Sequence, residues 1–392
     1  MPNNPSVHAA VLAGFVALAV AMGIGRFAFT PLLPMMQKDL GLGLAQGGWL
    51  ASANYLGYFA GALTAAFLPW SARTLLRVGL FLVVLTTALM GWTSVWSTWI
   101  TWRSLAGVAS AWVLVGTATL CLARLSAAGN PKKSGWVFAG VGGGIAAAGL
   151  LCLVADLRGV SAPDTWLMLG VLAALGTVAT FPLWHVSTNA PYPSDVPPRA
   201  NGHAHRRLVL CYGFFGFGYI LPATFLPAQA RVLLDDHAIF GLAWPLFGLA
   251  AGVSTLTCGV LLRRFSLRGL WLAAQLLMAI GVVMPALIPG LGSIIVAALC
   301  VGGTFMVITM LGMQQAQVTG GPRARTLMAN LTAAFAFGQL AGPVFFSLMN
   351  EHLGASLNSS LYVACAVLVV GCLLLLKPFP AHSVQAAGVD VQ

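Results

Sequence analysis

The 392-residue chain is predicted to be an all-α membrane protein with twelve transmembrane helices in two pseudo-symmetric six-helix bundles. Three observations carry this expectation: the composition, the number of apolar runs, and the recurrence of one pattern in both halves. Only 7% of residues are charged, 59% are apolar, and the mean hydropathy is +0.90. A water-soluble domain carries roughly 25% charged residues, so the solvent for most of this surface must be lipid. The 45 glycines and 21 prolines lie inside apolar runs, where small residues let helices approach closely and prolines are tolerated.

A span of the bilayer needs about 20 apolar residues. Runs of that size between polar breaks cover Val11–Met35, Gly47–Trp70, Leu75–Gly91, Trp96–Leu122, Trp136–Val154, Trp166–Val186, Leu208–Ala228, Phe240–Leu262, Gly269–Ile288, Ser293–Met313, Leu327–Met349 and Leu361–Leu376. The chain has no Lys or Arg before its first run, so that run reads as a retained helix and not as a signal peptide. Trp70, Trp96, Trp136 and Trp166 fall at span ends, the usual place of interfacial anchors.

The basic residues set the orientation, because positive loops are retained on the cytoplasmic side. With the N-terminus inside, fourteen of the 19 Lys and Arg lie in inner loops and the C-terminal tail. Three lie in outer loops (Lys38, Arg158 and Arg231), and two, Arg26 and Arg103, lie within spans. Both termini are therefore expected in the cytoplasm. None of the eight acidic residues falls within a span. The net charge of +11 is scattered in short clusters with no aromatic-interleaved basic stripe, so it marks topology and no nucleic-acid partner is expected.

The longest polar stretch, from Ser187 to Arg207, divides the runs six and six. The expected organisation is an N-terminal bundle over residues 1–186, a cytoplasmic linker over 187–207, a C-terminal bundle over 208–378 and a cytoplasmic tail over 379–392. Across the linker the same grammar appears twice. Gly23, Gly25 and Pro34 recur 193 residues later as Gly216, Gly218 and Pro227. Gly61, Thr64, Arg73 and Arg77 recur 191 residues later as Gly252, Thr255, Arg264 and Arg268. Paired halves of this kind suit a carrier that rocks around a site between them.

The segment Arg103-Ser-Leu-Ala-Gly107-Val-Ala-Ser-Ala111 is similar to the fourth-helix pattern of the major facilitator superfamily. The stretches Gly23-Ile-Gly-Arg-Phe-Ala-Phe-Thr-Pro-Leu-Leu-Pro34 and Tyr212-Gly-Phe-Phe-Gly-Phe-Gly-Tyr-Ile-Leu-Pro-Ala-Thr-Phe-Leu-Pro227 resemble the signatures of its YbfB/YjiJ-like branch. The resemblance covers the whole chain. It implies the superfamily's fold, a secondary carrier working by alternating access in a bacterial inner membrane, a monomer, a small-molecule substrate and no cofactor. Two departures stand out. The loop Pro69-Trp-Ser-Ala-Arg73 lacks the acidic residue usual there, and Gly140 to Gly149 lacks the Gly-Pro pattern of many drug antiporters, of which Gly338 to Pro343 looks like a displaced version.

An Arg near mid-membrane costs about 2.5–3.5 kcal/mol on insertion scales, so it normally faces a cavity or a partner. Arg26 and Arg103 sit at similar depth, and the resemblance implies that both their helices line the central cavity. With no carboxylate in any span, each needs carbonyls, water or an anionic ligand. Arg103 reads equally as a packing residue of the N-terminal half. Thr30 shares the stripe of Ala19, Gly23 and Arg26 at helical spacing. Asn54 with Tyr58, Tyr212 with Tyr219, and Thr332 with Gln339 are further polar pairs within spans, and Thr304 and Trp244 are single candidates. Each also reads as an interhelical hydrogen bond.

Seven cysteines, without CxxC or a His partner at metal spacing, read as small core residues. With no nucleophile and base at useful spacing, no enzyme activity is expected. The expected function is carriage of a small organic anion held by Arg26 and Arg103. The alternative is proton-coupled export of amphipathic drugs or metabolites. His185 is the single histidine within the spans, so any coupled proton would travel on the substrate's own carboxyl group or through the arginine network.

Overall fold

The computed structural model describes residues 5–186, 202–233, 237–354 and 356–377, and their side chains except at 44, 224–241, 353 and 357. The linker at 187–201 and the tail beyond 377 lie outside the described residues. In order, the elements are α1 (Val7–Leu18), a π-helical segment (Ala19–Phe27), α2 (Phe29–Leu40), α3 (Leu44–Phe67), α4 (Ala72–Trp92), α5 (Trp96–Ala127), α6 (Ser134–Leu157), α7 (Ala162–Ala179), α8 (Gly202–Leu233), α9 (His237–Leu261), α10 (Leu267–Leu287), α11 (Leu291–Gly320), α12 (Ala324–Leu353) and α13 (Leu357–Leu376). Short 3-10 turns at Pro131–Lys133, Phe181–His185 and Gly321–Arg323 join or end them.

Nine stretches among the described residues are long and apolar enough to cross a membrane. One of them, Leu291–His352, is 62 residues long. At about 1.5 Å per residue it is roughly three bilayer cores in length, so it must double back, and it does so at the 3-10 turn between α11 and α12. Val7–Leu40 forms one continuous stretch of 34 residues through the π segment.

The repeated sequence pattern has a repeated structural counterpart. Within the first half the first stretch packs on α6, α3 and α4 pack on α5, and α4 packs on α7. Within the second half α8 packs on α12, α9 and α10 pack on α11, and α10 packs on α13. The two arginines of the repeat do the same work. Arg77 donates to the Trp184 carbonyl at 2.8 Å, and Arg268 donates to the Leu376 carbonyl at 3.4 Å. Each ties the third long helix of its half to the end of the last.

Helix starts repeat as well. Ser71 caps α4 and Ser266 caps α10, each accepting a backbone N–H at 3.1 Å, which supplies one of the donors a helix N-terminus leaves unpaired. Gly159 and Gly354 both stand at positive φ (69° and 60°), two residues before the capping serines Ser161 and Ser356 of α7 and α13.

Between the halves, α6 lies along α9 and α3 along α12. The α6–α9 contact is backbone against backbone. A Cβ on Gly142 would lie 2.3 Å from the Gly252 nitrogen, and one on Gly248 2.4 Å from the Ala146 nitrogen. Small residues at an interhelical contact permit this approach. At the end where the 187–201 connection lies, the halves are bridged by side chains. Arg325 of α12 donates to the carbonyls of Leu68 (3.4 Å) and Trp70 just beyond the end of α3. Gln314 of α11 donates to the Ser134 hydroxyl at the start of α6.

Three sequence expectations change. Helix α8 begins at Gly202, so residues 202–207 of the expected linker are helical. Their histidines and arginines are polar because this turn precedes the apolar run, not because the chain is extended there. Helix α5 continues five residues past Leu122 to Ala127. Trp166 is no interfacial anchor: it is 1% exposed, with its indole N–H directed at the Met36 sulfur at 3.4 Å. Trp136 does lie open, at 59%. The described cysteines are all free, and five of the seven are buried.

Candidate functional site

Arg26 lies in the π-helical segment, which packs closely on α6. Gly23 passes so close to α6 that a Cβ would sit 2.3 Å from the Gly144 carbonyl carbon. Its repeat mate Gly216 meets the Phe335 carbonyl of α12 at 2.2 Å by the same measure. The wider π turn disturbs the usual i→i−4 ladder, and α5 supplies donors to the carbonyls there. Ser110 donates to Ala21 at 2.8 Å, while Arg103 donates from its two terminal nitrogens to Gly25 (3.2 Å) and Arg26 (3.3 Å).

Arg103 is thus bonded to the backbone that presents Arg26. Its guanidinium lies over the Phe29 ring at 4.7 Å, and only 3% of the residue is exposed. Of the two readings open in the sequence, the geometry favours the one in which Arg103 organises the N-terminal half. The two arginines meet as expected, but one is a support for the other and they do not form a forked clamp.

Arg26 faces the gap between the halves. Its guanidinium lies 3.8 Å from the centre of the Tyr58 ring and within 6.0 Å of Phe27, Tyr55 and Phe335. One terminal nitrogen donates to the Gln339 side-chain oxygen of α12, across the gap. The other terminal nitrogen and Nε are buried and make no hydrogen bond among the described residues. No carboxylate pairs with Arg26 there either, the one ion pair among the described residues being Lys38 with Asp156 at 3.5 Å on the surface. A buried cation with two unused donors has the hydrogen-bonding capacity to hold the oxygens of an anion.

Around this guanidinium is a cavity of about 20 Å³ lined by Met22, Tyr58, Tyr212, Phe305, Thr309 and Phe335 among others. That is space for about one water. Any larger guest requires the halves to part, and parting them separates Arg26 from Gln339.

Of the residues singled out by sequence, Arg26, Tyr58 and Gln339 come together here. Tyr219 joins from α8, stacked on Phe305 with centroids 5.4 Å apart and planes at 24°. Trp244 is stacked on Phe247 at 5.4 Å and tilted against Phe27 at 6.4 Å. Asn54 donates to the Arg103 carbonyl at 3.0 Å, a bond between α3 and α5 within one half. Thr30 and Thr304 do not line this cavity. Thr30 is exposed, because the π turn rotates the helix so that a stripe counted in ordinary turns no longer reaches it. Thr304 turns its hydroxyl back to the Cys300 carbonyl at 2.6 Å, while its neighbour Phe305 enters the cavity. Sequence reasoning missed Phe27, Phe305 and Phe335, since aromatic residues in apolar runs carry no polar flag. The signal available for Phe27 and Phe305 was their adjacency to Arg26 and Thr304.

The comparisons agree with the fold. The crystal structure of the human organic anion transporter MFSD10 (TETRAN) superposes with a TM-score of 0.73 over 95% of this chain and 100% of that one, at 16% identity. Likeness at that identity speaks for the architecture alone. Among curated proteins, none matches the chain. Residues 18–376 match the family described as "Uncharacterised MFS-type transporter YbfB". The chain therefore belongs to this MFS-type family, and it is a transporter and not an enzyme.

Proposed function

We propose that the chain is a secondary carrier of a small organic anion, moved by alternating access between two six-helix bundles that together cross a bacterial inner membrane twelve times, with both termini in the cytoplasm. The observation that carries this reading is Arg26: a guanidinium 3% exposed, facing the gap, with two donors unused and no carboxylate among the described residues to neutralise it. With Gln339 withdrawn as the bundles part, an anion would be held bidentately by the nitrogen it leaves and one of the two unused donors beside it.

Arg103 and Ser110 hold the π segment through its carbonyls, Asn54 ties α3 to α5 at Arg103, and the Tyr58 ring lies against the guanidinium. Any proton that accompanies transport rides on the substrate's own acid group. The competing reading, export of lipophilic cations, is opposed by the same charge, because a buried guanidinium repels them. The neighbour's printed role as an organic anion transporter is consistent with this proposal.

The test is uptake of radiolabelled carboxylates into vesicles holding Arg26→Gln. Loss of uptake by a folded variant supports the proposal. Unchanged uptake removes Arg26 from the site and ends the anion reading.

A further inference from the structure

Resting on the anion-carrier reading above, we propose that the substrates are aromatic monocarboxylates, with the carboxylate on Arg26 and the ring received among Phe27, Phe305, Phe335 and Tyr219.

The charge of the site sets the valence. Among the described residues Arg26 is the one guanidinium that lines the cavity, and both terminal nitrogens of Arg103 are engaged by the Gly25 and Arg26 carbonyls. One cavity-lining guanidinium pairs with one carboxylate, and a second carboxylate would find no charged donor in the lining to bond it. An amino acid is disfavoured for the opposite reason: among the described residues no acidic side chain lines the cavity to receive an ammonium group.

The lining sets the body of the substrate. Thr309 and Thr332 both spend their hydroxyl protons on carbonyls of their own helices, at 2.8 Å each. Apart from these and two tyrosines, the lining is Met22, Phe27, Leu114, Phe305, Met306 and Phe335. A sugar acid would leave most of its hydroxyls unpaired there.

Rings continue outward from this point in an ordered pile. Trp244 stacks on Phe247 (5.4 Å, 11°), Phe247 on Phe305 (5.3 Å, 18°), and Phe305 on Tyr219 (5.4 Å, 24°). These residues come from α9, α11 and α8 of the second half. Phe27 of the first half meets the pile edge-on at Phe305 (6.2 Å, 79°), directly beside Arg26 in the chain. When the bundles separate, that edge-on contact opens, and a flat ring attached to a carboxylate is the shape that fills the slot while its anionic end reaches Arg26. Offset and edge-to-face ring contacts add affinity beyond the area they bury.

The test uses the purified full-length chain in detergent and calorimetric Kd values for five probes: benzoate, cyclohexanecarboxylate, benzamide, phthalate and phenylalanine. Benzoate is expected to bind about five- to tenfold more tightly than cyclohexanecarboxylate, and the neutral, dianionic and zwitterionic probes on the order of a hundredfold more weakly than benzoate. Phe305→Leu should erase the preference for benzoate while leaving the binding of cyclohexanecarboxylate dependent on Arg26. Should that variant fail to fold, Phe27→Leu makes the same test from the other half. Equal affinity for the two ring acids, or tight binding of benzamide, overturns the aromatic assignment. Arg26-dependent binding of aliphatic acids without ring preference overturns it too, yet leaves the anion-carrier reading standing. Absence of binding by every carboxylate to folded protein overturns both.

Discussion

Replacing Arg325 by alanine removes the two bonds that its guanidinium makes to the carbonyls of Leu68 and Trp70 across the gap. These carbonyls lie at the C-terminal end of α3, where the helix dipole also favours a cation. Hydrogen bonds from a charged donor contribute about 1.5–3 kcal/mol each when buried. Arg325 is only partly buried, so screening cuts the pair to about 1.5–3 kcal/mol in total. The tie exists only while the linker end is closed, and its loss therefore multiplies the fraction open at that end by about 10 to 150. A cysteine at Thr119, half-buried beneath this contact with its hydroxyl 3.6 Å from the Met328 sulfur, reports that fraction through its rate of maleimide labelling. The background has the seven native cysteines replaced. Labelling should accelerate in Arg325→Ala by roughly the factor above, with partial reversal in Arg325→Lys. A rate within about twofold of the parent would refute the idea that this bridge holds the end shut.

Arg103→Gln should lower the thermal unfolding midpoint and destabilise the protein by about 1–3 kcal/mol, because the Gly25 and Arg26 carbonyls are left buried and poorly paired; an unchanged midpoint would show that the π segment stands without it. Gly142→Val places a side chain against the Gly252 backbone, and an overpacking cost of about 1–3 kcal/mol is expected together with loss of transport; wild-type stability and uptake would show that the α6–α9 contact can open at no cost. Gly23→Ala should be about as damaging as Gly216→Ala in a melting assay, since each added Cβ meets the backbone of its packing helix (α6 and α12) at 2.3 Å and 2.2 Å; a large difference between them would break the equivalence of the halves.

Much of the fold was legible because lipid imposes a simple rule: long apolar runs, broken by basic turns, become helices. The repeat was legible too, and Arg77 and Arg268 show why it is more than glycine-rich coincidence, since both reach the end of the last helix in their own half. Arg26 announced itself through the cost of placing a cation at that depth. What sequence could not supply was rotation about the helix axis. Counting in ordinary turns placed Thr30 beside Arg26, and the π segment moved it away. Polarity alone singled out Thr304, whereas its neighbour Phe305 is the residue that lines the cavity. Trp166 sits at the end of a span as expected, yet position along the axis says nothing of azimuth, and it points inward. The aromatic pile was invisible for a related reason: rings from α8, α9 and α11 are far apart in the chain and look like any other apolar residue.

The glycine contact between α6 and α9 has a mechanical corollary. Interdigitated side chains resist sliding, because each must leave its rotamer well before its neighbour can pass. Where Gly142, Gly248 and Gly252 bring bare backbone to bare backbone, there are no such teeth. Under the alternating-access proposal this surface would serve as a smooth bearing on which one half of the molecule rolls against the other, with the resistance concentrated in a few side-chain bridges at its ends.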